Sequence, residues 1–136
     1  MEYCQGGDLL GLLKKYKRFD ETATRFYGAE ILKAVEYIHQ NKILHRDLKP
    51  ENICKLWVKL IVVLSAENHI KITDFGSAIM LDRLDIKEGK SVYTRRSSFV
   101  GTAEYCSPEL LNDQRCMQKS DIWAIGCILF QMIVGM

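Results

Sequence analysis

Leucines at positions 9, 12 and 13 share one helical face directly behind Asp8, whose carboxylate suits a helix start, so a short helix is predicted from Leu9 to Tyr16 after a Gly6-Gly7 turn. A longer helix follows. Asp20 is its predicted N-cap, Glu21 sits at the positive end of its dipole, and Ala23, Tyr27, Ile31, Ala34, Val35 and Ile38 recur at helical spacing to about Gln40. That stripe needs a core to cover it. A short strand is predicted near Ile53 and another from His69 to Thr73, where Ile70 and Ile72 alternate with polar residues. From Ile79 to Thr102 the composition is polar and without period, which predicts a long surface loop. Ser120 to Val134 is apolar nearly all round and is expected in the centre of a domain, with Trp123, Ile128 and Met132 in the core. No internal repeat is present.

Composition narrows the classes. With 136 residues, 48% hydrophobic and 26% charged, the chain fits one globular domain or a large piece of one. A net charge of +2, from 19 basic and 17 acidic residues, gives no warrant for nucleic-acid or direct membrane contact. The five cysteines (Cys4, Cys54, Cys106, Cys116 and Cys127) form no C-x-x-C pair, so a reducing, cytoplasmic setting is expected rather than a disulfide framework or zinc site. The longest apolar runs, Leu60 to Leu64 and Ile122 to Phe130, are too short to span a bilayer. Both ends read as cut, and a fragment is expected.

The chemistry concentrates in His45-Arg46-Asp47-Leu48-Lys49-Pro50-Glu51-Asn52. Within one tight loop this places a carboxylate able to accept a hydroxyl proton, a cation suited to a transferring phosphoryl group, and an amide for a metal ion. Two further motifs follow in order: Asp74-Phe75-Gly76, then Gly101-Thr102-Ala103-Glu104-Tyr105-Cys106-Ser107-Pro108-Glu109, with Asp121-Ile122-Trp123 behind them. Together they resemble the large lobe of eukaryotic protein kinases, over the whole chain. The resemblance implies an α+β, kinase-like fold, mainly helical with short β-hairpins, whose small lobe is absent from the sequence.

By that resemblance Asp47 accepts the substrate hydroxyl proton and Lys49 neutralises charge on the moving phosphoryl group. Asn52 and Asp74 hold Mg2+ between the phosphates of ATP. Lys49 and Thr102 point to Ser/Thr substrates, and the Thr102 hydroxyl is expected to bridge Asp47 and Lys49. His45 is expected as a packed residue under Phe75, whereas His39 and His69 are expected in turns or at the surface. Arg95-Arg96 reads as a solvated pair rather than a docking patch.

Met1-Glu2-Tyr3-Cys4, Arg25-Phe26-Tyr27, Ser98-Phe99-Val100-Gly101-Thr102 and the Ser107-Pro108-Glu109 variant resemble the 3-phosphoinositide-dependent kinases of the AGC group. The implied partners are protein substrates, namely AGC-type kinases. The implied phosphosite is Ser98, its phosphate paired with Arg46. The backbone of Glu2 and Cys4 would meet adenine, Asp8 the ribose, and Cys54 the adenine floor; Glu51 is counted with these nucleotide-side positions.

The sequence departs from the family in four places. It contains no Gly-rich loop, strand lysine or partner glutamate, so the 136 residues alone are expected to be inactive. The alternative is a non-catalytic truncated paralogue that competes for clients. Asn52 and Asp74 lie 22 positions apart, against roughly 13 in the family, and the surplus is assigned to an insertion at residues 55–63. That run either lengthens a hairpin or is a translated intron remnant, and its apolar, β-prone character favours the second reading. Ile79 stands where a basic residue commonly helps hold the loop phosphate. Glu109 is expected to be a buried carboxylate without its usual arginine.

Overall fold

The computed structural model describes residues 7–55, 69–81, 102–112 and 118–135. Both predicted caps form. The Asp8 carboxylate accepts the Gly11 amide at 2.7 Å and starts α1 (Leu9–Tyr16), and Asp20 accepts the Ala23 amide at 2.7 Å and starts α2 (Glu21–Gln40). Helix α1 stops where Lys17 turns left-handed (φ 69°) and its amide closes on the Leu13 carbonyl. Helix α2 stops at Asn41, whose side-chain amide donates to the Tyr37 carbonyl.

Two small antiparallel ladders follow. Strand β1 (Ile43–Leu44) leads into the octapeptide loop, which ends in a 3-10 turn (Pro50–Asn52) and continues as β2 (Ile53–Lys55). Strand β2 pairs with β3 (Ile70–Ile72), Ile53 opposite Ile72 and Lys55 opposite Ile70. Strand β1 pairs with β4 (Ile79–Met80), Ile43 opposite Met80. Ile79 and Met80, read from the sequence as the start of a loop, are therefore strand, and residues 82–101 of that predicted loop lie outside the described residues. After Thr102 come a 3-10 turn (Ala103–Tyr105), the short helix α3 (Pro108–Leu111) and α4 (Gln118–Val134).

Helices α1, α2 and α4 enclose the core. Leu9 and Leu13 of α1, Ile31 and Val35 of α2, and Ala124, Ile125, Ile128 and Met132 of α4 bury against Leu48 and Ile53. Each fully buried aliphatic side chain contributes about 1.5–3 kcal/mol of transfer free energy. Gly28 allows α2 and α4 to approach closely, since a Cβ there would lie 2.8 Å from the Leu129 Cδ2 atom. The Phe19 amide donates to the Met132 carbonyl at 2.7 Å and ties the α1–α2 connection to the end of α4.

Helix α4 corrects the sequence reading. Among the described residues one face is covered and the other is not: Ile122, Trp123, Phe130, Ile133 and Val134 are exposed, and Trp123 is 47% accessible while Ile128 and Met132 are at 0%. Trp123 is thus not a core residue. With Glu104, Tyr105 and Phe130 it instead borders an open cleft of about 490 Å³. No helix among the described residues is long and apolar enough to cross a membrane.

Candidate active site

The octapeptide loop is fixed by alternate burial of its own residues. Leu44, His45, Leu48, Pro50 and Asn52 point inward, and between them Arg46, Asp47 and Lys49 remain partly accessible. The two ladders then bring the segment around Asp74 alongside. His45 lies edge-on to Phe75 with ring centroids 4.9 Å apart, as the sequence led us to expect. Its Nε2 lies 3.0 Å from the Thr73 carbonyl, which can only accept, so Nε2 carries the proton and Nδ1 faces the Asp47 amide at 3.4 Å. The Arg46 guanidinium donates through Nε to the Ser77 carbonyl.

Asp121 of α4 braces the loop from below. Its carboxylate, 2% exposed, accepts the His45 amide (Oδ2, 3.0 Å) and the Arg46 amide (Oδ1, 3.0 Å). Arg46 has φ 70°, a left-handed conformation that costs a non-glycine residue roughly 1–2 kcal/mol, and the two amide bonds offset that strain. His39 Nε2 lies 2.8 Å from Asp121 Oδ2 and its side chain is only 12% exposed, which overturns its assignment to the surface. His69 is half exposed and pairs with Glu30 at 3.0 Å, in keeping with its expected place.

At the loop's outer edge Lys49 Nζ lies 3.0 Å from Asp47 Oδ2 and donates to Thr102 Oγ1 at 3.2 Å. The bridge is therefore Lys49, which touches both neighbours, rather than the Thr102 hydroxyl. Asn52 Nδ2 donates to the Asp47 carbonyl at 2.9 Å and lies 3.3 Å from Asp47 Oδ2. Burial pushes the Cys106 thiol pKa up, and the nearby charge of Asp47 raises it further. A space of about 10 Å³ between Asp47, Thr102, Cys106 and Asp121 has room for one water.

Asn52 and Asp74 meet through the β2–β3 ladder. The Thr73 amide donates to the Asn52 carbonyl at 2.8 Å, so a separation of 22 positions in the sequence does not part the two residues in space. Asp74 is exposed and left-handed (φ 59°), and its Oδ1 accepts the Gly76 amide at 3.3 Å. No group of three or more His, Cys, Asp or Glu suited to a metal occurs among the described residues. An amide oxygen and one carboxylate instead fit a hard cation such as magnesium, which takes its remaining ligands from water and phosphate oxygens.

On the nucleotide side, Asp8 and Cys54 form an antiparallel bridge, and Cys54 Sγ lies 3.8 Å from Thr73 Oγ1. One Asp8 oxygen is occupied as the α1 cap. Glu51 is exposed beside Asn52. Burial first, then the charge of Glu51, pushes the Tyr105 phenol up to about 12, while its hydroxyl donates to Gln131 Oε1 at 2.8 Å. Glu109 corrects another expectation. It is only partly buried and accepts the Ser120 hydroxyl at 3.0 Å, and its pKa is lowered, chiefly by its own backbone amide. Glu2, Cys4, Ser98, Arg95, Arg96 and residues 56–63 of the expected insertion lie outside the described residues. Asp121 and His39 are the two residues of this region whose roles the sequence reading missed. Their spacing from the loop carries no local signal.

The protein kinase domain family matches residues 1–136. The chain is 51% identical over 138 residues to serine/threonine-protein kinase PKH2 of Saccharomyces cerevisiae, covering 99% of this chain and 12% of that protein. It is 46% identical over 136 residues to human 3-phosphoinositide-dependent protein kinase 1, covering 100% of this chain and 22% of that protein. The chain thus spans less than a quarter of the length of these relatives.

Proposed function

Since the chain belongs to the protein kinase domain family, we propose that it carries the acceptor side of a serine/threonine kinase site of the 3-phosphoinositide-dependent type. The observation that supports this best is the Asp47–Lys49–Thr102 chain, with Asp47 held again by Asn52. In this reading Asp47 Oδ accepts the proton of a substrate Ser or Thr hydroxyl as the oxygen attacks the γ-phosphorus of ATP. Lys49 sits beside Asp47 and meets the charge that the phosphoryl oxygens gather, while Thr102 keeps the ammonium from swinging into solvent. Asn52 and Asp74 would hold magnesium, which when bound neutralises charge on the phosphates. Asp8 and Cys54 would border the nucleoside, together with Glu2, Cys4 and Glu51. AGC-type kinases are the proposed substrates, and phosphate on Ser98, paired with Arg46, is the proposed switch.

The 136 residues contain no Gly-rich loop and no strand lysine, so on their own they are expected to transfer phosphate too slowly to measure. The test is a chimaera in which residues 1–136 replace the matching segment of human 3-phosphoinositide-dependent protein kinase 1, assayed on a Ser/Thr peptide with ATP and magnesium. ATP-dependent phosphorylation is expected. A folded chimaera that binds ATP and transfers nothing overturns the catalytic reading and favours a non-catalytic competitor.

A further inference from the structure

Among the described residues, the proposed mechanism leaves unused the pair of His39, largely covered, with the buried Asp121. His39 lies in the last turn of α2, Asp121 in the first turn of α4, and the loop they serve belongs to neither helix. Asp121 meets three donors from two segments: the His45 and Arg46 amides from the loop and the His39 ring from α2. A carboxylate turns easily about its last torsion, a broad twofold rotor. Two amides from adjacent residues of one loop can turn with it. A donor anchored in a different, rigid element prevents that rotation. With Nε2 at 2.8 Å, His39 makes the shortest of the three contacts, and it fixes Oδ2 where the His45 amide needs it and Oδ1 where Arg46 needs it.

The consequence reaches Asp47 through the backbone. Arg46 is left-handed with its amide held by Asp121, and it is the residue immediately before Asp47. A shift of about 1 Å in such a group is enough to cost on the order of a hundredfold in rate. We propose that His39 is a positioning residue for the loop that carries Asp47, acting by locking the rotation of the Asp121 carboxylate. The importance of this for catalysis rests on the kinase reading above, but the locking itself does not.

Two substitutions of similar polarity separate this role from simple packing. His39→Gln places its amide nitrogen where the imidazole Nε2 lies, whereas the amide nitrogen of His39→Asn stops near the position of Nδ1 and falls short of Asp121. Amide hydrogen exchange, followed residue by residue by NMR on the 136-residue chain, is the readout. In His39→Asn the His45 and Arg46 amides are expected to exchange at least about tenfold faster while the Ile31 and Ile128 amides keep their native protection. In His39→Gln all four are expected to stay near native. Equal behaviour of the two variants, or a loss in His39→Asn spread evenly over the core, overturns the proposal. If His39→Asn does not fold, His39→Gln decides alone: native protection at His45 and Arg46 supports the locking role, and selective loss there overturns it. The readout involves neither ATP nor transfer, so failure of the chimaera as a kinase and failure of this test are separate results.

Discussion

The loop from His45 to Asn52 and the turn from Asp74 to Ser77 stand side by side, yet they are built in opposite ways. The loop is held by buried anchors, by Asp121 from α4 and by Lys49 reaching to Thr102. Asp74 to Gly76 are exposed, and among the described residues the Asp74 side chain accepts a single weak bond, from its own turn. In the proposed function Asp47 is the general base, a role that depends on a fixed angle between carboxylate and hydroxyl and is served by the anchored loop. In the same proposal Asp74 is a magnesium ligand, which must approach an ion that arrives with water and phosphate, so an accessible carboxylate serves that role better.

The contrast breaks first at Asp121. Asp121→Ala leaves two amides and a histidine without their shared acceptor and is expected to cost about 3–5 kcal/mol in urea unfolding. Asp74→Asn, which keeps a residue tolerant of the left-handed conformation, is expected to stay within about 0.5 kcal/mol of native. Equal costs for the two would erase the distinction. Helix α4 repeats the contrast on its two faces. Met132→Ala is expected to cost about 3 kcal/mol, while Ile133→Ser on the open face is expected to change stability by less than about 0.5 kcal/mol.

Smaller effects follow from two titrating groups near the braced side. Tyr105 ties the segment carrying Thr102 to α4, and its phenol is pushed from 10.0 to about 12. A raised folded value means that its contribution is complete below pH 10 and is lost as pH rises from 10 through about 12, because burial first, and then the charge of Glu51, disfavour the phenolate in the folded protein. Alkaline unfolding followed by phenolate absorbance is expected to show this, and Tyr105→Phe to remove it. Glu109 has the opposite sign. Its lowered value means stability present above the unfolded glutamate range and lost as pH falls through the folded value, a step that Glu109→Gln is expected to abolish in acid unfolding curves.

Much of this architecture was legible because it is local. Asp8 and Asp20 cap helices three residues away, and the order of Asp47, Lys49, Asn52 and Asp74 is a linear signature. What stayed hidden is non-local or too short to show a period. Strands β1 and β4 have two residues each, so no alternation marks them. The bonds from the loop amides to Asp121 cross 75 and 76 positions, and His39 looks like any polar residue at a helix end. Helix α4 is apolar all round, a composition that says it can be buried without saying which face is. Trp123 was misplaced for that reason.

The central claim is that Asp47 is the proton acceptor on a loop rigid before substrate arrives. Its most direct test is the phosphoryl-transfer rate of the chimaera with Asp47 intact and with Asp47→Asn, each checked for an unchanged unfolding midpoint. A fall of about a hundredfold to ten-thousandfold at constant stability is expected. Equal rates in two equally stable proteins would contradict the claim.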